Sequence, residues 1–367
     1  HQHSTRSFDS MVSEGDRLLS NLVEGVEFVV PSDHDAVTDL QHWVVEEGVT
    51  DLIYAMASTE VSPSFAHLGA MPMPYDPLAP SGGAFSYGRL EEDGSLFHLT
   101  FPEIVESLRQ DYGVEVIQIN HPRANSPLFY SASYDPLEDP SRLSGDVFTS
   151  DFDTVEVYNA RSEFCQVFDD WVGLVARGYR VTGVGNSDTH TLSNAAGYPR
   201  NYLVSDVLEP AEIEDEDITG ALLSQAVSVS GGALITFPEG PQLGSVSLSA
   251  LGSQSLWVRV QTPVWSTVDT LLVIINGVVV ETIPVFAEEE SVIVFDELVF
   301  FDLPDKDSYM IIVAYGEIAM DRVYEGEYPF GFTNPIFFDV DGISGWQPPG
   351  VSGPEELPGL ALTGCDL

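Results

Sequence analysis

Lysine is almost absent from this chain of 367 residues. Lys306 is the only lysine, and lysine and arginine together number 13 against 58 aspartates and glutamates, which gives a formal net charge of −45 at pH 7. A surface this negative repels DNA, RNA and anionic membranes, so nucleic-acid binding is excluded as a function. We interpret the excess as a solubilising coat suited to a salty environment, with calcium binding by the acidic coat as the alternative.

Cysteine and long apolar runs are also scarce. Cys165 and Cys365 are the only cysteines, too few for a disulfide framework and too far apart in sequence for a zinc knuckle. No segment approaches the roughly 18 apolar residues of a membrane-spanning helix, and no signal peptide is present in the sequence. These features fit an exported bacterial protein, although a cytoplasmic one stays open, and the sequence leaves the oligomeric state undetermined.

Two hydrophobic patterns along the chain predict two domains. Up to about residue 205, apolar strand-like runs alternate with amphipathic helical patterns, which is typical of an α/β domain with parallel strands. From about residue 235, apolar runs separated by turn residues predict an antiparallel β-sandwich. The predicted organisation is an α/β domain over 1–208, a connecting segment over 209–234, a sandwich-like all-β domain over 235–350 and a tail over 351–367.

The elements of the α/β domain can be predicted one by one. Its strands are short, apolar and rich in β-branched residues: Val26 to Val30, Leu52 to Ala57, Val114 to Ile119, Thr154 to Tyr158 and Val181 to Val184. Its helices are marked by caps, stops and apolar spacing: Ser13 to Gly25, a helix capped by Thr38, Pro102 to Gly113, and Phe164 to Gly178. Each strand runs into a polar cluster, and the carboxyl ends of barrel strands carry the active site in parallel α/β barrels.

Histidine supplies the clearest chemical signal. All of the eight histidines except His42 and His98 lie at or near predicted strand ends. His1 and His3 are two residues apart, as are Asp188 and His190, and a step of two along a strand places both side chains on one face. Imidazoles combined with carboxylates suit zinc, iron or manganese, and a bridging carboxylate such as Glu60 lets two ions lie close together.

Five motifs, taken in order, resemble those of the PHP (polymerase and histidinol phosphatase) domain metallohydrolases. They are His1-Gln2-His3-Ser4, Ser32-Asp33-His34-Asp35, Thr59-Glu60 with His67, Asn120-His121-Pro122 and Ser187-Asp188-Thr189-His190. The resemblance covers roughly residues 1 to 205 and implies a distorted (β/α)7 barrel. The C-terminal part is similar to the β-domain of the CehA/McbA-type branch, through Phe332-Thr333-Asn334-Pro335 and 339–349, which are also explained as tight loops closing a sandwich.

The resemblance also implies a ligand set for two or three divalent or transition-metal ions. The implied groups are His1, His3, Glu60 and Asp188 for one ion; Glu60, His67 and His121 for a second; and Asp9, His34 and His190 for a third. Asp9 stands where some members of the family have histidine, and it has an alternative role as a cap for the helix near Val12.

Further polar residues near these motifs are candidates for supporting roles. Glu156 and Asn159 follow the same strand-end logic and would orient ligands, as would Asp33 and Asp35 beside His34. Arg6 and Arg123 are rare positive charges near the motifs and are candidate anchors for an anionic substrate. Arg161 and Arg200 are further candidates, and a surface ion pair is the alternative role for each arginine.

The sequence therefore predicts a metal-dependent hydrolase acting on a small molecule. A phosphate ester is the favoured substrate, attacked by metal-activated water, with Asp188 or His190 moving protons and Arg123 binding the anion. No protein nucleophile is recognisable. A carboxylic ester or carbamate hydrolase is the alternative, with an apolar wall formed by His67 to Tyr75. The third hypothesis is a non-catalytic binding protein. The strand that presents His1 and His3 is expected to lie upstream of the given sequence.

Overall fold

The structure is a computed structural model that describes residues 1–91, 93–124, 128, 149–159, 164–249, 252–286 and 291–350. It contains 18% helix and 32% strand, so the prediction of a mixed α/β protein is confirmed. The predicted tail over 351–367 and Arg161 lie outside the described residues. None of the helices in the described ranges is long and apolar enough to cross a membrane.

Helices are interspersed with strands up to residue 223. In chain order they are α1 (Glu14–Val23), β1 (Phe28–Val29), α2 (Gln41–Glu46), β2 (Tyr54–Ala55), β3 (Thr59–Val61), β4 (His67–Met71), β5 (Gly88–Leu90), β6 (Leu96–His98), α3 (Phe101–Tyr112), β7 (Val116–Asn120), β8 (Thr154–Tyr158), α4 (Phe164–Ala176), β9 (Thr182–Gly185), β10 (Arg200–Leu203) and α5 (Asp215–Leu223).

Strands follow in the remainder of the described chain. They are β11 (Val227–Gly231), β12 (Leu234–Thr236), β13 (Val246–Leu248), β14 (Gly252–Gln261), β15 (Thr270–Ile275), β16 (Val278–Pro284), β17 (Ile293–Leu303), β18 (Ser308–Tyr315), β19 (Phe330–Thr333) and β20 (Ile336–Asp339).

These elements form two compact units that are interleaved along the chain. The first unit comprises His1–Asn159, Asn186–Gly197 and Ser205–Leu223. The second unit comprises Ala160–Gly185, Tyr198–Val204 and Ser224–Leu367.

Local sequence signals explain most helix ends in the first unit. The Ser13 hydroxyl accepts a hydrogen bond from the amide of Asp16 and caps α1, and α3 ends at Gly113, which has a φ of 69°. Glycine is favoured there because a side chain strains a left-handed backbone. The predicted cap of α2 is wrong: Leu40 occupies the N-cap position, and the Thr38 hydroxyl instead donates to Asp33 Oδ2 at 2.5 Å.

The strands of the first unit are paired in both directions. β1 pairs with β2 and β7 pairs with β8 in parallel, as the sequence predicts. β3 and β4, which the sequence does not predict as strands, form an antiparallel hairpin, and β4 runs antiparallel to β7. The connection over 62–66 explains the antiparallel pairing of β3 and β4, because a parallel crossover needs a dozen or more residues.

Apolar packing fixes these strands beneath the polar strand ends. All five residues of β7 are buried, and α3 contributes Phe101, Ile104 and Leu108 to the interior. A second cluster joins Leu18 of α1 and Val44 of α2 to strands β1 and β2. Full burial of a leucine-sized side chain stabilises a fold by about 1.5–3 kcal/mol, so these contacts hold the strands in a fixed register.

The second unit contains two β-sheets with a common apolar core. The larger sheet has the order β10-β11-β19-β18-β15-β16, with β20 also paired to β18 and β13 paired to β20, and the smaller sheet has the order β12-β14-β17. Side chains from both sheets, such as Val258 and Ile312, belong to one buried cluster. Asn334, from the Phe332 to Pro335 motif, is buried and bonds to the backbone of Gly183 and Val227, a structural role in this unit.

Candidate metal centre

The residues predicted as metal ligands come together in the first unit. Within each of four groups, one potential ligand atom per residue lies within 4.8 Å of all the others. The groups are His1, His3 and Asp188; His1, Glu60 and His121; His34, Glu60 and His67; and His3, Asp9, His34 and His190. These clusters could hold metal ions, and together they contain every residue predicted to bind one.

Glu60 lies at the centre of the cluster. Its Oε1 is 3.3 Å from His1 Nε2, 3.2 Å from His67 Nδ1 and 3.4 Å from His121 Nε2. Its Oε2 is 3.0 Å from His34 Nδ1. Because the two oxygens face different histidines, this carboxylate has the geometry of a bridge between neighbouring ions.

The hairpin of β3 and β4 explains how Glu60 meets His67 and His121. Glu60 is the middle residue of β3, and His67 begins β4 in register with Asn120, the last residue of β7. His121 therefore follows directly beside His67, and the two ring centroids are 5.0 Å apart. The antiparallel pairing that the sequence did not predict is what brings these ligands to one edge of the sheet.

The first and last motifs of the chain meet on the other side of Glu60. His1 Nε2 and His3 Nε2 lie 3.2 Å apart, and Asp188 Oδ1 is 3.2 Å from the first and 3.0 Å from the second. Ligand atoms at bond lengths of about 2.0 Å around a tetrahedral ion are about 3.3 Å apart. The three atoms are thus spaced as ligands of one ion would be.

The remaining group is the most open. Asp9 Oδ2 lies 3.3 Å from His34 Nε2 and 3.0 Å from His190 Nε2, and the side chains of Asp9 and His190 are 31% and 30% exposed. The alternative role of Asp9 as a helix cap is wrong, because Ser13 caps α1. Asp9 instead faces the two histidines with which it was grouped.

Two buried atoms in the cluster have no hydrogen-bond partner. They are Oε2 of Glu60 and Nδ1 of His67. Most buried polar atoms in proteins are hydrogen-bonded, and an orphaned one costs about 1–3 kcal/mol. Coordination of a cation would satisfy both atoms, and a mixed set of imidazole nitrogens and carboxylate oxygens fits zinc, iron or manganese. The residues present therefore fit the metal ions that the sequence predicts.

Contacts behind the histidines fix the orientation of their rings. In every predicted histidine ligand except His67, the Nδ1 atom lies within hydrogen-bonding distance of a supporting oxygen. None of these oxygens belongs to the side chain of a predicted ligand. The contacts are His1 to Glu156 Oε1 at 2.9 Å, His3 to Ser7 Oγ at 2.9 Å, His34 to Ser62 Oγ at 2.7 Å, His121 to the Ala124 carbonyl at 3.2 Å and His190 to the Asp188 carbonyl at 2.8 Å. For His1, His3, His121 and His190 such contacts direct the opposite nitrogen, Nε2, towards a bound metal, whereas Nδ1 of His34 also faces Glu60 Oε2.

Glu156 is the most heavily bonded of these supporting residues. Besides the ring of His1, its carboxylate accepts from the amide of His121 at 2.7 Å and from the side chains of Asn159 and Asn186 at 2.9 and 3.0 Å. Asn159 also donates to Asp188 Oδ2 at 3.1 Å. Glu156 and Asn159 thus lie behind the ligands, where the sequence predicts orienting residues.

A chain of side-chain amides behind Glu60 was not predicted. Asn120 Nδ2 donates to Glu60 Oε1 at 2.9 Å, and Gln118 Nε2 donates to Asn120 Oδ1 at 2.7 Å. The Thr154 hydroxyl lies 3.5 Å from Gln118 Oε1 and extends the chain. The available signal was a pair of amides two residues apart in an otherwise apolar strand, since such spacing places both on one buried face.

Comparisons of this chain with protein-family models and with curated proteins give no match.

Charge in the cluster favours a bound cation. Burial tends to raise the pKa of Glu60, but the charge of His1 and short contacts with the rings of His1, His121 and His34 hold that pKa well below its usual range. Burial tends to lower the pKa of His1, and the negative charges of Asp188, Glu156 and Glu60 outweigh this effect and raise it. The carboxylates therefore stay ionised and attract positive charge into a buried space.

Backbone strain also occurs in and next to the cluster. Asp35, His121 and Asp188 are non-glycine residues with positive φ angles of 49°, 26° and 45°. Residues held in such conformations cost about 1–3 kcal/mol each and cluster at functional sites. The strain at His121 and Asp188 falls on two predicted ligands.

The candidate substrate anchors are more dispersed. Arg6 Nη1 lies 3.6 Å from Glu14 Oε1 and its guanidinium lies over the ring of Tyr75, so it has the ion pair given as its alternative role. Arg123 is in the turn that follows His121, and Arg200 belongs to β10 in the second unit. In the segment predicted as an apolar wall, Met71 and Met73 are buried in the interior.

Proposed function

We propose that the protein is a metal-dependent hydrolase that holds two or three ions, zinc, iron or manganese, and acts most readily on phosphate esters. The observation that carries this proposal is the convergence of four histidines on the two oxygens of the buried Glu60. The four groups of histidines and carboxylates in the first unit would hold the ions.

We also propose that the chain is a PHP-domain protein of the CehA/McbA type. The order of the motifs along the sequence and their meeting in space support this assignment. It implies that the first unit is a distorted (β/α)7 barrel and that the two sheets of the second unit form a sandwich. The parallel pairs β1–β2 and β7–β8, and the core common to both sheets, support that architecture.

Bound ions would supply activated water as the nucleophile and would neutralise charge on the substrate oxygens. The chain itself contributes positioning: Asn120 and Gln118 hold the carboxylate of Glu60, and Glu156 holds the ring of His1. His190 and Asp188 are the candidates for proton transfer, because their side chains are partly exposed at 30% and 18%. Arg123 would bind the anionic part of the substrate.

A carboxylic ester or carbamate is the second candidate substrate, and an exposed apolar pair favours it. Phe8 is 87% exposed and its ring stacks on His34 with centroids 5.1 Å apart, and Met11 is 92% exposed. In the sequence, Phe8 directly precedes Asp9 of the open group of ligands, and Met11 follows Asp9 by two residues. An uncharged apolar substrate would contact them more favourably than a phosphate would.

The test is to purify the protein, count its metal ions by mass spectrometry and compare two sets of substrates. Nitrophenyl phosphate mono- and diesters form one set, and naphthyl esters and carbamates form the other. We expect bound metal and turnover of a phosphate ester. Turnover of esters alone would replace the first candidate by the second, metal without any turnover would favour a binding protein, and failure to bind metal would reject all of the metal chemistry.

A further inference from the structure

One arginine is fully buried in the first unit, in a protein with few positive charges. Arg17 lies on the inner face of α1 and is 0% exposed. An isolated buried charge is costly, so a buried guanidinium needs acceptors for its donors and a compensating negative charge. The compensating charge comes from Asp33, which is also 0% exposed.

Besides the Ser20 hydroxyl on its own helix, Arg17 has two acceptors, one in each end of the predicted ligand set. Its Nε donates to the carbonyl of His3 at 2.9 Å, and its Nη2 donates to the carbonyl of Thr189 at 3.1 Å. Thr189 stands between Asp188 and His190. One planar side chain thus spans the backbone of the first motif and that of the last.

Little else in the backbone joins these two segments. His3 donates to the carbonyl of Thr189 at 3.0 Å and Asp188 donates to the carbonyl of His1 at 2.8 Å, and the pairing is an isolated bridge between Gln2 and Thr189. This short contact helps to set the spacing of Asp188 from His1 and His3, together with the hydroxyl of Ser187, which bonds to the carbonyl of His1, and that of Ser10, which bonds to the carbonyls of His3 and His190. Arg17 bonds to the same Thr189 carbonyl and reinforces this contact.

We propose that Arg17 is a positioning residue that sets the distance between the His1–His3 pair and the Asp188–His190 pair, and thereby sets the metal affinity of the ligand groups that contain them. The inference rests on the proposed metal centre. A lysine cannot replace this arginine, because its ammonium is a point charge without the rigid fork that reaches two carbonyls at fixed positions. The group of His34, Glu60 and His67 contains no residue from either pair and should be less affected.

The experiment measures metal content and metal dissociation constants for Arg17→Lys, with Arg109→Lys as the matched control. Arg109 also donates to backbone carbonyls, those of Val114 and Glu115, but it does so at the end of α3. We expect Arg17→Lys to lose at least one ion per chain, or to bind it about 10- to 100-fold more weakly, the range seen when support of a ligand is removed. Arg109→Lys should keep the wild-type metal content.

Retention of at least one ion and of a cooperative thermal transition in Arg17→Lys separates positioning from a general role in folding. Wild-type affinity at every site of that variant would overturn the inference while leaving the proposed function intact. Loss of all ions together with the thermal transition would also overturn it, since Arg17 would then be needed for the fold as a whole. A wild-type protein that binds no metal would reject the proposed function itself.

Discussion

Two clusters of side chains that contain carboxylates have similar distances between potential ligand atoms, but their carboxylates differ in the hydrogen bonds that they already accept. The first is the centre around Glu60, and the second is Asp307, Asp339 and Asp341 in the second unit. Asp307 accepts backbone amides on both oxygens, from Val340 and Gln347 at 2.8 and 2.7 Å, whereas Glu60 Oε2 has no donor. The aspartate group holds loops together, while the Glu60 centre leaves coordination capacity unused.

Proximity of carboxylates is therefore a weak indication of a metal site by itself. Asp339 and Asp341 accept amides from Gly342 and Ile343 at 2.7 and 2.8 Å, as short polar residues in turns commonly do. The Glu60 centre adds histidines whose outer nitrogens are fixed and whose inner nitrogens converge. We therefore expect metal at the first group and support of the backbone at the second, and the following changes test that contrast.

The largest expected effect is that of Glu60→Gln. The amide removes the charge that faces the surrounding histidines. Because loss of a residue that only supports a ligand lowers metal affinity or activity by about 10- to 100-fold, we expect metal content and hydrolysis to fall together by more than about 100-fold in this variant. Mass spectrometry of metal content and steady-state rates check this. A variant that keeps both metal and activity would remove Glu60 from the ligand set.

Asn120→Ala tests the amide chain behind Glu60. The variant leaves every predicted ligand in place but removes the donor at 2.9 Å from Glu60 Oε1, so metal affinity should fall by about 10- to 100-fold. Metal titration with a competing chelator measures the change. Gln110→Ala is the control, because that amide donates only to Glu106 on the exposed side of α3, and equal effects of the two substitutions would contradict the role of Asn120.

Asp307→Asn tests the other half of the comparison. Asparagine cannot accept both amides as the carboxylate does, so the free energy of unfolding should fall by about 1–3 kcal/mol, the cost of a buried unsatisfied group. Denaturant unfolding measures this loss. Metal content should stay at the wild-type value, and a variant that loses an ion would show that the aspartate group is a cation site after all.

Asp169 on α4 provides a pH-dependent test in the second unit. Burial, together with the charge of Asp170, raises the pKa of Asp169 from 3.8 to about 7. Because the folded state holds this proton more tightly than the unfolded state, its contribution to stability is complete below about pH 4 and is lost as the pH rises through about 7.

Asp169→Asn removes that titration. The side chain is partly exposed, so we expect a gain of only about 1–2 kcal/mol at pH 8 and little change at pH 4, after allowance for solvent screening. Thermal unfolding of the variant and the wild type at both pH values measures it. A gain of equal size at the two pH values would show that Asp169 does not titrate in this range.

Short-range signals in the sequence predicted much of the fold. The caps of α1 and α3 and the strands β7 and β8 depend on local residues, and they occur close to their predicted positions. The β3–β4 hairpin was missed because its strands have only three and five residues and are too short for a hydrophobic period. Pairing direction depends on which strands meet, and a single sequence does not encode that locally.

The sequence predicts the ligand residues of the candidate site better than it predicts the residues that hold those ligands in place. Strand-end histidines and their spacing predict the side chains that gather around Glu60. The roles of Gln118 and Arg17 depend on contacts between residues that are distant in sequence, such as Arg17 with Thr189. Buried polar residues on otherwise apolar elements are the only local sign of such contacts, and that sign gives no partner.

Anomalous X-ray diffraction from crystals grown with zinc or manganese shows directly whether Glu60 and the surrounding histidines bind a metal ion. We predict metal peaks about 2.0–2.2 Å from the carboxylate oxygens of Glu60 and from the ring nitrogens of those histidines. Crystals that contain the metal but show no peak at Glu60, or show one only at Asp307, Asp339 and Asp341, would contradict it.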